Sequence, residues 1–145
     1  MYSYAGQPWK TQYWARQIMD RLYNHTEKGY PGDEDQGGMS SWYILSALGM
    51  YAVCPGTDQY VLGSPLFKKA TITMEDGKKF VIEANNNSKD NVYVQSVSLN
   101  GSPVTKNYIT YKDIVNGGTI KYEMGSQPNK NRGTTKDAAP FSLSK

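Results

Sequence analysis

GYPGDEDQGGMSSWYILSALGM, residues 29–50, decides the fold class. From Met39 to Met50 it is apolar almost all round. A helix of that kind is buried on every side, which calls for more surrounding protein than a chain of 145 residues supplies. Ahead of it, Gly29, Pro31, Gly32, Gly37 and Gly38 mark a loop around the acidic triplet Asp33, Glu34 and Asp35. Upstream again, Pro8 suits a first helical turn, and Trp14, Ile18, Met19 and Leu22 recur at helical spacing along one stripe. Arg16, Gln17, Asp20 and Arg21 occupy the remaining face, and Asn24 to Glu27 form the exit.

Beyond Cys54, Pro55 and Gly56 the period changes to two. Ala70, Ile72 and Met74 alternate with Thr71 and Thr73, the turn Glu75–Lys78 follows, and Phe80, Ile82 and Ala84 alternate again as the second arm of a hairpin. Val92 and Val94, then Val97 and Leu99, need a change of face near Gln95 and Ser96 that a β-bulge provides. Asn100-Gly101 is a strong hairpin turn, and further strands are expected at Tyr108–Tyr111 and Thr119–Met124. The predicted class is α+β: a helical part over residues 1–56, an antiparallel β-module over 57–126, and a flexible, fraying tail over 127–145.

Composition removes several functions. Sixteen Lys and Arg against thirteen Asp and Glu leave a net charge of +3, too scattered for a nucleic-acid binder. One cysteine, Cys54, excludes a disulfide framework and a cysteine-rich zinc site; one histidine, His25, argues against a multi-histidine metal site. There is no apolar run of membrane-spanning length, and the N-terminal MYSYAGQPWK has no signal-peptide core. Aromatic residues make up 12% of the chain, a share that suits both cores and sugar-stacking surfaces.

The acidic triplet is the first candidate site. Three adjacent carboxylates repel one another, so a loop that gathers them before a helix uses the helix dipole or a cation to keep them charged. An EF-hand fails, because Gly37 occupies the third ligand position and Ile44 the twelfth. A solvated helix cap stays open as the structural alternative. Trp9 is a candidate sugar-lining residue, whereas Trp42 and Tyr43 read as core, Cys54 as buried and His25 as ordinary surface.

GQPWKTQYWARQIM at 6–19, the long run from Gly29 to Phe67, and GGTIKYEMGSQPN at 117–129 together resemble the C-terminal end of the family 92 glycoside hydrolases, exo-acting α-mannosidases. The resemblance covers about Tyr2 to Asn129. It implies an (α/α)6 barrel packed against a β-sandwich, so the chain is expected to hold terminal barrel helices followed by a small β-module, a fragment of a larger catalytic domain. It further implies calcium-dependent hydrolysis with inversion, of α-1,2-linked mannosides in N-glycans or mannan. Asp33 and Asp35 then correspond to the general-base carboxylates, with Asp35 first choice and Glu34 least placed to touch substrate.

The proton donor and most of the calcium and sugar ligands are implied upstream, so the implied partners are a mannose-containing glycan and the upstream remainder of the enzyme. The isolated chain is expected to be inactive. A secreted or periplasmic bacterial location goes with the resemblance. The rival readings are a non-catalytic carbohydrate-binding or structural β-module, which calls for exposed aromatics on one sheet face, and an interaction subunit.

Overall fold

Pro8 opens α1 (Pro8–Leu22) where a missing amide costs nothing, and Tyr23 ends it with extended backbone. The computed structural model describes residues 1–143. Helix α2 (Gly38–Ala47) stops short of the expected Met50, because Gly49 takes φ +85° and Met50–Tyr51 leave as strand β1. A Cβ at Gly49 would lie 2.6 Å from Pro65 Cγ, so glycine is required at this turn.

Strand β1 pairs antiparallel with β2 (Gln59–Leu62), placing Met50 opposite Leu62. The first sheet therefore crosses the expected boundary at residue 56. The second sheet is built from β3 (Lys69–Thr73), β4 (Lys79–Asn85), β5 (Tyr93–Leu99), β6 (Ser102–Pro103) and β8 (Gly118–Gly125), in the order β3-β4-β8-β5-β6. The β3–β4 hairpin turns at Gly77 with φ +82°, and the β5–β6 hairpin turns at Asn100 and Gly101 with φ 51° and 83°. The register shift in β5 falls between Val94 and Ser96, at the place where the valine pattern changes face.

Two expectations need correction. The module is not wholly antiparallel: β4 and β8 run parallel, Ile82 opposite Ile120, so the sheet is mixed. Parallel neighbours need a crossover, and here the chain makes β5, β6 and two more elements before it returns. Those two replace the single strand expected at Tyr108–Tyr111. Strand β7 (Tyr108–Thr110) joins β2 in the first sheet, then the chain coils into α3 (Tyr111–Val115). Thr110 and Asp113 form a reciprocal capping box, Thr110 N to Asp113 Oδ2 at 2.8 Å and Asp113 N to Thr110 Oγ1 at 3.3 Å.

Phe80, Ile82, Val94, Val97, Ile120, Tyr122 and Met124 fill the core from the larger sheet, with Met50, Leu62 and Ile109 from the smaller one. Fully buried Tyr122 donates its hydroxyl to Gly49 O at 3.1 Å, tying β8 to the turn that ends α2. Burial raises the Tyr122 phenol above its usual range, so this donor stays protonated.

The expected fraying of the tail is also corrected over 127–143. Arg132 donates to Val104 O and Lys106 O, both at 3.1 Å, and Asn107 N reaches the carbonyl of Ala138 at 2.8 Å, the buried last residue of a short 3-10 turn, Lys136–Ala138. Ser144 and Lys145, the last residues of that expected tail, lie outside the described residues.

The burial of α1 departs in part from the expected arrangement. Pro8, Gln12, Arg16 and Met19 are buried, while Trp14 and Leu22 remain about half exposed. The reason is hydrogen bonding. Gln12 Oε1 accepts from Val94 N at 3.0 Å, and Arg16 donates to Pro65 O at 2.5 Å, Asn87 Oδ1 at 2.9 Å and Ser88 O at 3.0 Å, so the polar face docks the helix on the β-module. Burial lowers the Arg16 pKa, an effect that nearby Asp20 opposes. Truncating Arg16 to alanine leaves Pro65 O and Asn87 without this donor, and urea unfolding should register a loss on the order of 3 kcal/mol. A loss below about 1 kcal/mol would show that something else holds α1 in place.

Trp14 and Ile18 of the apolar stripe line a groove of about 310 Å³ with Trp42 and Met50. Helix α2 buries only Ser46 and Ala47, and Ile44 is 58% exposed, so the expected all-round burial is not met within this chain. Its apolar surface is left facing out.

Candidate functional site

Asn24 closes the chain after α1. Its side-chain oxygen accepts from Thr26 N at 2.9 Å and its own amide reaches Gly29 O at 3.1 Å, a local turn that returns Tyr30 toward the helix end. There Tyr23 gathers an aromatic cluster: its ring lies 5.6 Å from Trp42 in a stacked pose, 5.0 Å from Tyr43, and 6.0 Å from Tyr30 edge-on. The Tyr23 hydroxyl donates to Met39 O at 3.3 Å. Burial, followed by the charge of Glu34, raises the Tyr23 pKa and keeps that donor neutral.

The acidic loop starts three residues beyond Tyr30. Glu34 turns to the helix: Oε1 accepts from Met39 N at 3.0 Å and Oε2 from Ser40 N at 2.8 Å, amides in the first turn of α2. Gly37, the N-cap residue, has no side chain to do this. Asp33 and Asp35 on either side are exposed, and among the described residues neither carboxylate has a hydrogen-bond or ion-pair partner. The cap and the free acids, which the sequence left as competing readings, are thus separate residues of one loop. Two exposed carboxylates beside an aromatic cluster can accept protons from water.

Between the Asn24 turn and Tyr43 lies a polar cleft of about 610 Å³, lined by Tyr23, His25, Glu27 and Tyr30 among others. Its floor is the cluster that borders the acidic loop. The tyrosines lacked a signal in the sequence, because Tyr23 falls just past a helix end and Tyr30 inside a loop.

Trp9 is not brought to this place. It is the second residue of α1, thirteen positions before Leu22, or about 20 Å of helix from the end that meets the acidic loop. Trp42 and Tyr43, expected in the core, are half-buried members of the cluster, and Cys54 is half-buried rather than enclosed. His25 is exposed.

Among the described residues no three His, Cys, Asp or Glu side chains converge to hold a metal ion. The loop carboxylates do not make a calcium site by themselves, since Glu34 is committed to the helix amides. No helix among the described residues is long and apolar enough to cross a membrane.

Comparison with known proteins places these features. The sequence profile of the glycosyl hydrolase family 92 catalytic domain matches residues 1–126. An inverting mannosidase of family GH92 from Bacteroides thetaiotaomicron superposes with a TM-score of 0.93 at 50% identity, over 99% of this chain and 20% of that one. A family GH92 α-mannosidase from the same organism gives 0.92 at 38% identity, over 98% and 19% respectively. An uncharacterized secreted glycosidase of Arthroderma benhamiae is 32% identical over 146 aligned residues, 99% of this chain and 19% of its own length. The chain thus spans about a fifth of the relatives it matches.

Proposed function

The chain belongs to glycosyl hydrolase family 92, and from that premise we propose that it supplies the water-activating half of an inverting exo-α-mannosidase. The observation that carries this is the loop itself, in which Asp33 and Asp35 stand free in solvent while Glu34 is fixed to α2. Asp35 takes one proton from water, and Asp33 accepts a hydrogen bond from the second hydrogen, which stays on the oxygen, and so orients it. That oxygen bonds to the anomeric carbon as the glycosidic C–O bond breaks, and the leaving oxygen takes its proton from an acid on the opposite side.

In inverting enzymes the two carboxyl groups stand roughly 6.5–9.5 Å apart with the sugar and water between them. Asp33 and Asp35, two residues apart on one loop, cannot serve both roles across a sugar ring, and the family resemblance implies that the acid lies in the upstream part of the enzyme. The substrates are terminal α-mannosides, α-1,2-linked, of N-glycan or mannan type. The family resemblance implies a calcium ion that would polarise the sugar hydroxyls, held mostly by ligands in the upstream part of the enzyme. The secreted relative supports an extracellular or periplasmic location.

The anomer released first tests the mechanism. Full-length enzyme acting on an α-mannoside, followed by proton NMR from the first minute, should show β-mannose appearing before mutarotation mixes the anomers. First release of α-mannose would mean retention, and with it a nucleophile in place of a water-activating base.

A further inference from the structure

We propose that Glu34 is the positioning residue of this site, a hook that sets where Asp33 and Asp35 stand; the inference rests on the general-base reading above. Both of its carboxylate oxygens are engaged, one by Met39 N at 3.0 Å and the other by Ser40 N at 2.8 Å. Such a two-point attachment fixes direction as well as distance. The chain between hook and helix is bent hard: Gln36 and Gly37 both lie in the left-handed region, φ 54° and 77°, and Gly38 N closes onto Asp35 O at 2.9 Å. For glutamine that backbone is unfavourable, and it persists where surrounding contacts over-determine it.

An independent contact grips the same point from the other side. The Met39 peptide is held at its N–H by Glu34 and at its carbonyl by the Tyr23 hydroxyl, 3.3 Å away. Tyr23 in turn packs on Trp42 and Tyr43 of α2 and on Tyr30 ahead of the loop. Both ends of the acidic segment are therefore tied to one aromatic cluster, and among the described residues Glu34 is its only side-chain tie from within. With the middle carboxylate bound to the helix amides, its neighbours are left free for water. Glu34 touches no substrate in this arrangement; it acts through Asp33 and Asp35.

The test compares Glu34→Gln, Glu34→Ala and Asp35→Asn in the full-length enzyme by steady-state kinetics, with circular dichroism to follow folding. Glutamine keeps one acceptor oxygen for one amide, so kcat should fall about three- to tenfold; alanine releases the loop and should cost about 30- to 300-fold in kcat, with KM within about twofold of wild type in both. Partial rescue by glutamine at constant KM is the signature of positioning. Should the alanine variant not fold, the glutamine variant decides alone, a fall of threefold or more at constant KM supporting the hook and less than twofold overturning it.

Wild-type kcat in Glu34→Ala, with Asp35→Asn still crippled, would overturn the hook and leave the base assignment standing. A tenfold rise in KM would overturn it in favour of direct sugar contact. Near wild-type activity of Asp35→Asn would instead remove the general-base reading on which the hook depends.

Discussion

Asp35→Asn in the full-length enzyme should lower kcat by roughly 10² to 10⁴ with little change in KM. The amide keeps the shape of the side chain and removes its ability to take a proton, so the loss falls on the chemical step. Because the Asp35 carboxylate has no partner among the described residues, the substitution breaks no ion pair or hydrogen bond that could blur the result. Asp33→Asn should damage kcat by a similar or smaller factor, since it loses the second acceptor for the same water. The measurement is steady-state kinetics on both variants, with circular dichroism confirming the fold. Two near-wild-type rates would reduce the acidic loop to a helix cap, with Glu34 its working residue.

The isolated 145-residue chain should release no measurable mannose from a mannobiose, with or without added calcium. A missing proton donor alone removes roughly 10² to 10⁴ in rate. The half-exposed Trp14, Leu22 and Ile44 leave apolar surface of both helices uncovered in the chain by itself. Joining the upstream part should restore turnover. Calcium-dependent hydrolysis by the chain alone would place both catalytic groups within these residues and overturn the division of roles.

Particular residues show how much of this could be read beforehand. Ile120, Tyr122 and Met124 share a buried face, and the β5 bulge falls between Val94 and Ser96, because alternation and its interruption are local properties of a pleated strand. The loop Asp33–Asp35 was legible as a charged, glycine-flanked segment before a helix. Which carboxylate would cap that helix was not, since the choice depends on the left-handed bend at Gln36 and Gly37 that aims Glu34 at two amides. The Thr110–Asp113 capping box follows directly on a short alternating stretch, so the strand expected over Tyr108–Tyr111 ends one residue earlier and gives way to a helix.

By itself the sequence determined the two helices, the hairpin turns at Gly77 and Gly101, the acidic loop and the family, all of which depend on residues near one another in the chain or on their order along it. The tertiary structure decided that β8 lies parallel to β4, and that α1 docks through Gln12 and Arg16 while Trp14 and Leu22 of its apolar stripe stay half exposed. It also brought Tyr23, Tyr30, Trp42 and Tyr43 together behind the acidic loop, at the end of α1 opposite to Trp9. The physical reason is common to these cases. Periodicity reports which side chains share a face, whereas the partner of a face depends on hydrogen bonds and packing across tens of residues, such as Arg16 to Asn87 and Gln12 to Val94, which no local pattern encodes.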